Sequence, residues 1–105
     1  MNTETQESAT ILVVDDNPIS LGVLFEYLNL HEFTVFVAQN ADGAFQIVEQ
    51  ELPDIILLDV VMPGMDGFEV CRQLKAREET QNIPVIFMTG LSETVDKLKG
   101  FEAGG

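Results

Sequence analysis

The chain has 105 residues, of which 46% are hydrophobic and 22% charged, the balance of one globular domain rather than of a disordered segment. Its 18 acidic residues against 5 basic ones give a formal net charge of −13, which repels nucleic acid and anionic lipid and attracts divalent cations and basic protein surfaces. No apolar run is long enough to span a bilayer, no apolar leader opens the chain, and a single cysteine, Cys71, excludes an internal disulfide; the expectation is a soluble cytoplasmic protein that contacts neither nucleic acid nor membrane directly.

Residues 1–9 (MNTETQESA) are polar and acidic without apolar period and read as a disordered tail. Ile11, Leu12, Val13 and Val14 form a short apolar run ended by Asp15 and Asp16. Asn17-Pro18 follows, a capping residue with proline in the first helical position. Leu21, Leu24, Phe25 and Leu28 then share one helical face. Residues 33–38 (FTVFVA) are rich in β-formers, and residues 40–43 read as a turn and helix start, with Phe45 and Val48 facing inward as far as about residue 51. After Pro53 the run at residues 54–58 (DIILL) is a third strand, ending at Asp59. A Pro- and Gly-rich loop leads into a helix from residue 66 or 67 to about residue 78, with Phe68, Cys71 and Leu74 on its apolar side. Residues 83–88 (IPVIFM) are a fourth strand, and Ser92 caps a last helix carrying Val95, Leu98 and Phe101. A strand–helix unit repeated four times implies an α/β fold, a doubly wound parallel sheet with helices on both faces.

In such open sheets the functional site lies beyond the carboxyl ends of the strands. The first strand delivers Asp15 and Asp16 to that edge, the third delivers Asp59, and the fourth delivers Thr89. Two carboxylates about 5 Å apart repel by roughly 3 kcal/mol at an effective dielectric near 20. The repulsion is relieved by a proton or by a cation, and a set of hard oxygen donors with open positions suits Mg²⁺. A carboxylate beside Mg²⁺ can act as a nucleophile toward a phosphoryl group, with the Thr89 hydroxyl in reach of a phosphoryl oxygen. An acidic pair after a strand, taken alone, is a solvated helix start; joined by Asp59 and Thr89 it is a candidate site.

Four segments in order, VVDDNP, LLDVVMPGMDG, VIFMTG and GFEAG, resemble the receiver domain of two-component response regulators, a CheY-like (flavodoxin-like) fold, over residues 10–105. The resemblance implies phosphoryl transfer from a histidine kinase or phosphotransfer protein onto Asp59. It implies Mg²⁺ held by Asp16, Asp59 and the backbone carbonyl of Val61, with Asp15 assisting through water, and a switch role for Thr89. It also implies a phosphoryl acceptor that turns over no separate substrate.

The family continues after this point into a fifth strand ending in a lysine, then a fifth helix. The sequence stops at Gly105, so it resembles a (βα)4 receiver lacking that unit, with the phosphate's lysine partner absent and phosphorylation impaired. Lys75, Lys97 and Lys99 fall on helices and do not substitute. Residues 84–88 become a sheet edge, a template for pairing with another chain. Baring about 500 Å² of apolar surface would cost roughly 12 kcal/mol as an upper bound, as much as a typical domain's whole stability of about 5–15 kcal/mol. The expectation is a homodimer through strand 4 and the bared face.

Two alternatives stand beside the phospho-acceptor. One is a receiver-like interaction or dimerisation module without productive phosphotransfer. The other is a phosphatase with an aspartyl nucleophile, disfavoured because the position two residues after Asp59, where such enzymes want a second acid, is Val61. Asp66 reads as a helix cap, Asp54 as solvated at the opposite sheet edge, and His31 as exposed and idle. Cys71 reads as a small buried hydrophobe, Met62 and Met65 as packing residues, and Gly64 as a position of positive φ.

Overall fold

The structure, a computed structural model, describes residues 9–60, 62 and 64–88. Within them the order is β1 (Thr10–Val14), α1 (Pro18–Leu30), β2 (Thr34–Ala38), α2 (Ala41–Gln50), β3 (Ile55–Asp59), α3 (Gly67–Lys75) and β4 (Val85–Met88). The four strands form one parallel sheet in the order β2-β1-β3-β4. The direction of winding reverses at β1, between β2 and β3, which is the switch point of a doubly wound sheet. The tail at residues 1–8 and the helix expected after Ser92 lie outside the described residues.

The two central strands are buried on both faces because their side chains alternate between two helix layers. Ile11, Val13, Ile55 and Leu57 pack on Leu21, Leu24 and Leu28 of α1. Leu12, Val14, Ile56 and Leu58 point the other way, onto Ala41, Ala44 and Val48 of α2 and Val70 and Leu74 of α3. The strand β4 is only half-buried along Val85, Ile86 and Phe87.

Each helix starts on its own side-chain cap. The Asn17 carboxamide accepts from Ile19 N at 2.8 Å and Ser20 N at 3.3 Å, with Pro18 inside the first turn. Asn40 accepts from Gly43 N at 2.8 Å and Asp66 from Glu69 N at 2.9 Å. The third helix ends at Lys75, earlier than expected. Buried Thr80 donates its hydroxyl to the Leu74 carbonyl, taking an acceptor that a further turn would have used. Lys75 Nζ meanwhile donates to Gln81 O at 3.1 Å and Ile83 O at 2.6 Å, folding the connection back toward β4.

Two aromatic residues, Phe25 and Phe68, sit differently from their expected inward positions, while Phe45 packs against the core. Phe25 is exposed beside the buried Leu21–Leu24–Leu28 stripe. Phe45 lies on the shoulder of α2, half-buried under the Arg77 guanidinium at 4.9 Å. Phe68 is 53% exposed, its ring 4.9 Å from that of Phe87 on β4. The buried face of α3 is instead Gly67, Val70 and Leu74.

Candidate functional site

Strand register assembles the site. Val14 of β1 lies opposite Leu58 of β3, so the next residues, Asp15 and Asp59, leave the sheet side by side. Asp15 N donates to Ala38 O at 3.0 Å, carrying the β1 pairing one residue past the strand. Asn17 begins α1 at once, so Asp16 is held in the short link between strand end and helix cap. Asp15 is buried, Asp59 half-buried and Asp16 exposed, and one carboxylate oxygen from each lies within 4.8 Å of the other two.

That closeness shows in the acidity of Asp15. Burial pushes its carboxyl above the ordinary carboxylate value, and the neighbouring Asp59 and Asp16 push it the same way. Opposing them, Asn17 N donates to Asp15 Oδ1 at 2.9 Å and favours the charged form. Without a cation, the repulsion in the cluster thus favours the neutral form of Asp15 more than in a free carboxyl. Three convergent carboxylates at graded depths form an all-oxygen donor set, which fits a small hard cation such as Mg²⁺ and leaves positions for water and substrate oxygens.

The loop behind Asp59 is shaped by two glycines with different tasks. Gly64 has φ +83° with open space around it, as its sequence position led one to expect, so it serves a backbone conformation. Gly67 serves a close approach instead: a Cβ there would lie 2.2 Å from the Asp59 carbonyl oxygen. Its N–H donates to Val60 O at 2.9 Å. The sequence reading passed over this contact, because a glycine at a helix start carries no signal of what packs against it.

Val61 and Thr89 lie outside the described residues. Asp66 is the cap of α3. Asp54 stands at the opposite edge but is not merely solvated: its Oδ2 accepts from Thr10 N at 2.7 Å, pinning the start of β1 to that of β3. His31 is not idle either, since it caps α1 and packs its ring 4.5 Å from Tyr27. Cys71 is half-buried, Met62 is buried and Met65 packs against the same core. The one lysine among the described residues, Lys75, is bonded to carbonyls beside the start of β4, at the far end of the sheet from the carboxylates.

A doubly wound parallel sheet with three carboxylates at its switch point defines a class of small α/β domains built around an acidic cation pocket. The chain matches the response regulator receiver domain over residues 11–105, and it belongs to that family. It is 45% identical over 97 residues to the response regulator PleD of Caulobacter vibrioides, a match covering 92% of this chain and 21% of PleD. It is 41% identical over 96 residues to the protein PilH of Pseudomonas aeruginosa, covering 91% of this chain and 79% of PilH. The chain thus spans about a fifth of one of these relatives and most of the other. Among solved structures, the receiver domain of a sensor histidine kinase from Pseudomonas aeruginosa superposes with a TM-score of 0.74 at 29% identity, over 78% of this chain and 67% of that one. That domain holds a magnesium ion coordinated in its active-site cleft. Receiver domains of two-component signalling in general accept a phosphoryl group on an aspartate. Among the described residues no helix is long and apolar enough to cross a membrane.

Proposed function

We propose that this chain is a cytoplasmic receiver module that accepts a phosphoryl group on Asp59 from a histidine kinase or phosphotransfer protein. The observation that carries the reading is the meeting of Asp15, Asp16 and Asp59 within 4.8 Å at the carboxyl edge of the sheet. Asp16, Asp59 and the Val61 carbonyl would hold Mg²⁺, with Asp15 acting through water. Bound there, Mg²⁺ neutralises the carboxylates and the oxygens of the incoming phosphoryl group. Asp59 is the nucleophile: its carboxylate oxygen forms the O–P bond as the P–N bond of a phosphohistidine breaks. The bonding pair stays on the imidazole nitrogen, which takes up a proton from solvent. Thr89, at the sequence position following β4, is the hydroxyl assigned to a phosphoryl oxygen. Among the described residues the one lysine, Lys75, is bonded to Gln81 O and Ile83 O and does not face the pocket.

The outer face of α1 supports a helical protein donor. Ile19 is 77% exposed and Leu30 80% exposed, with Val23 between them at helical spacing, and Ile19 lies one turn from the carboxylates. A surface so apolar, set in a chain of net charge −13, fits a basic amphipathic helix. Self-association belongs to the same reading. Among the described residues β4 has β3 as its one neighbour, and its half-buried residues suit pairing with a second copy.

The test is incubation with Mg²⁺ and a small phosphodonor, followed by intact mass. One phosphoryl adduct that disappears in Asp59→Asn is expected. An adduct that survives that substitution moves the acceptor elsewhere, and none at saturating donor leaves an interaction module. Light scattering that finds a folded monomer at micromolar concentration removes the dimer.

A further inference from the structure

We propose that Gly67 is a positioning residue for the acceptor, holding the Asp59–Val60 peptide in place through a contact that only a residue without a side chain can make. This rests on the reading of Asp59 as a metal ligand and phospho-acceptor. A Cβ on Gly67 would meet three backbone atoms: Asp59 O at 2.2 Å, Val60 Cα at 2.9 Å and Asp59 C at 3.0 Å. None belongs to a flexible side chain that could swing away. The glycine is not there for its dihedral freedom, since Gly64 is the glycine with positive φ among the described residues. Its requirement is steric, and all of it falls on the residue that carries the nucleophile and on the next.

The first turn of α3 is thus seated on the end of β3 and tied by the Gly67 N–H to Val60 O at 2.9 Å. Both partners are anchored behind the contact. Val70 and Leu74 fix α3 in the core, and Ile55, Ile56, Leu57 and Leu58 fix β3. Asp59 is the last residue of β3, paired with Met88. When a methyl group is forced in, the atoms it meets are those of Asp59 and Val60 themselves, so the displacement falls on them. The Asp59 carboxylate then leaves the cluster it shares with Asp15 and Asp16.

The experiment compares wild type, Gly67→Ala and a destabilised control, Leu74→Ala, which loosens the same helix without touching Asp59. Circular dichroism reports folding and calorimetric titration with MgCl₂ reports affinity. In Gly67→Ala the fold is retained and Mg²⁺ binds about 10- to 100-fold more weakly, the range seen when a ligand's supporting shell is disturbed. Leu74→Ala melts earlier yet keeps wild-type affinity. Unchanged Mg²⁺ affinity in folded Gly67→Ala overturns the proposal, as does equal weakening in Leu74→Ala. If Gly67→Ala is unfolded in buffer, the titration is repeated with trimethylamine N-oxide, which favours the compact state. Failure to fold even then makes Gly67 a folding residue and also overturns it. A wild type that does not bind Mg²⁺ sinks the reading of the site itself, and the wild-type titration separates that failure from this one.

Discussion

Replacing Asp59 by Asn should stabilise the metal-free protein and abolish its response to Mg²⁺. Charges within 4.8 Å of one another repel by roughly 3 kcal/mol per pair or more at an effective dielectric near 20. Two things reduce that figure. Asp16 is exposed, so solvent and salt screen its share, and the raised proton affinity of Asp15 favours its neutral form. The net gain expected for Asp59→Asn at neutral pH is about 1–2 kcal/mol, and each kcal/mol raises the melting temperature by about 4–8 °C in a domain of this size.

The sign of the pH dependence follows from Asp15. Its carboxyl is raised in the folded state, by burial first and then by Asp59 and Asp16, so the native protein binds more protons than the unfolded chain. The resulting stabilisation is complete below the unfolded value and is lost as pH rises through the folded one. Metal-free wild type should therefore melt progressively lower over that window, while Asp59→Asn, with one repelling charge removed, should give a flatter profile. Saturating Mg²⁺ should reverse the order, since a ligand at a hundred times its Kd adds about 2.7 kcal/mol to wild type and little to the variant. Calorimetric melts from acidic to neutral pH, with and without Mg²⁺, decide the matter. Metal-free Asp59→Asn melting at or below wild type at neutral pH, or a Mg²⁺ increment equal to wild type, would refute this expectation.

Ile19→Glu should leave phosphorylation by a small donor intact and slow transfer from a phosphotransfer protein by tenfold or more, about 1.4 kcal/mol in the encounter; equal rates from both donors would show that the outer face of α1 is not used. Asn17→Ala removes the cap on Ile19 N and Ser20 N and should cost about 1 kcal/mol, read as a lower urea midpoint with unchanged slope. Thr80→Val removes the buried hydroxyl bond to the Leu74 carbonyl, which keeps the Arg77 N–H, and should cost about 1 kcal/mol, with no change in Mg²⁺ affinity because the lesion lies at the far end of α3.

What could be read along the chain, and what could not, divides by the range of the interaction concerned. Strands β1 and β3 were visible as unbroken aliphatic runs, because a strand buried on both faces has no polar side to show. Asn17, Asn40 and Asp66 marked helix starts, because a cap bonds to amides two or three residues away. Asp15 and Asp59 were recognisable as strand-end residues, and parallel winding implied a shared edge. Their approach to 4.8 Å came only with the register of Val14 against Leu58. Helical period located the apolar sides of α1 and α3 but not which shoulder meets the sheet, so Phe25 and Phe68, on those apolar sides by spacing, are 41% and 53% exposed in the fold. Asp54 gripping Thr10, Thr80 stopping α3 and Gly67 against Asp59 were beyond reach for one reason. In each, a residue is chosen by a backbone group that the chain brings near only after folding, and a linear pattern holds no record of that distance.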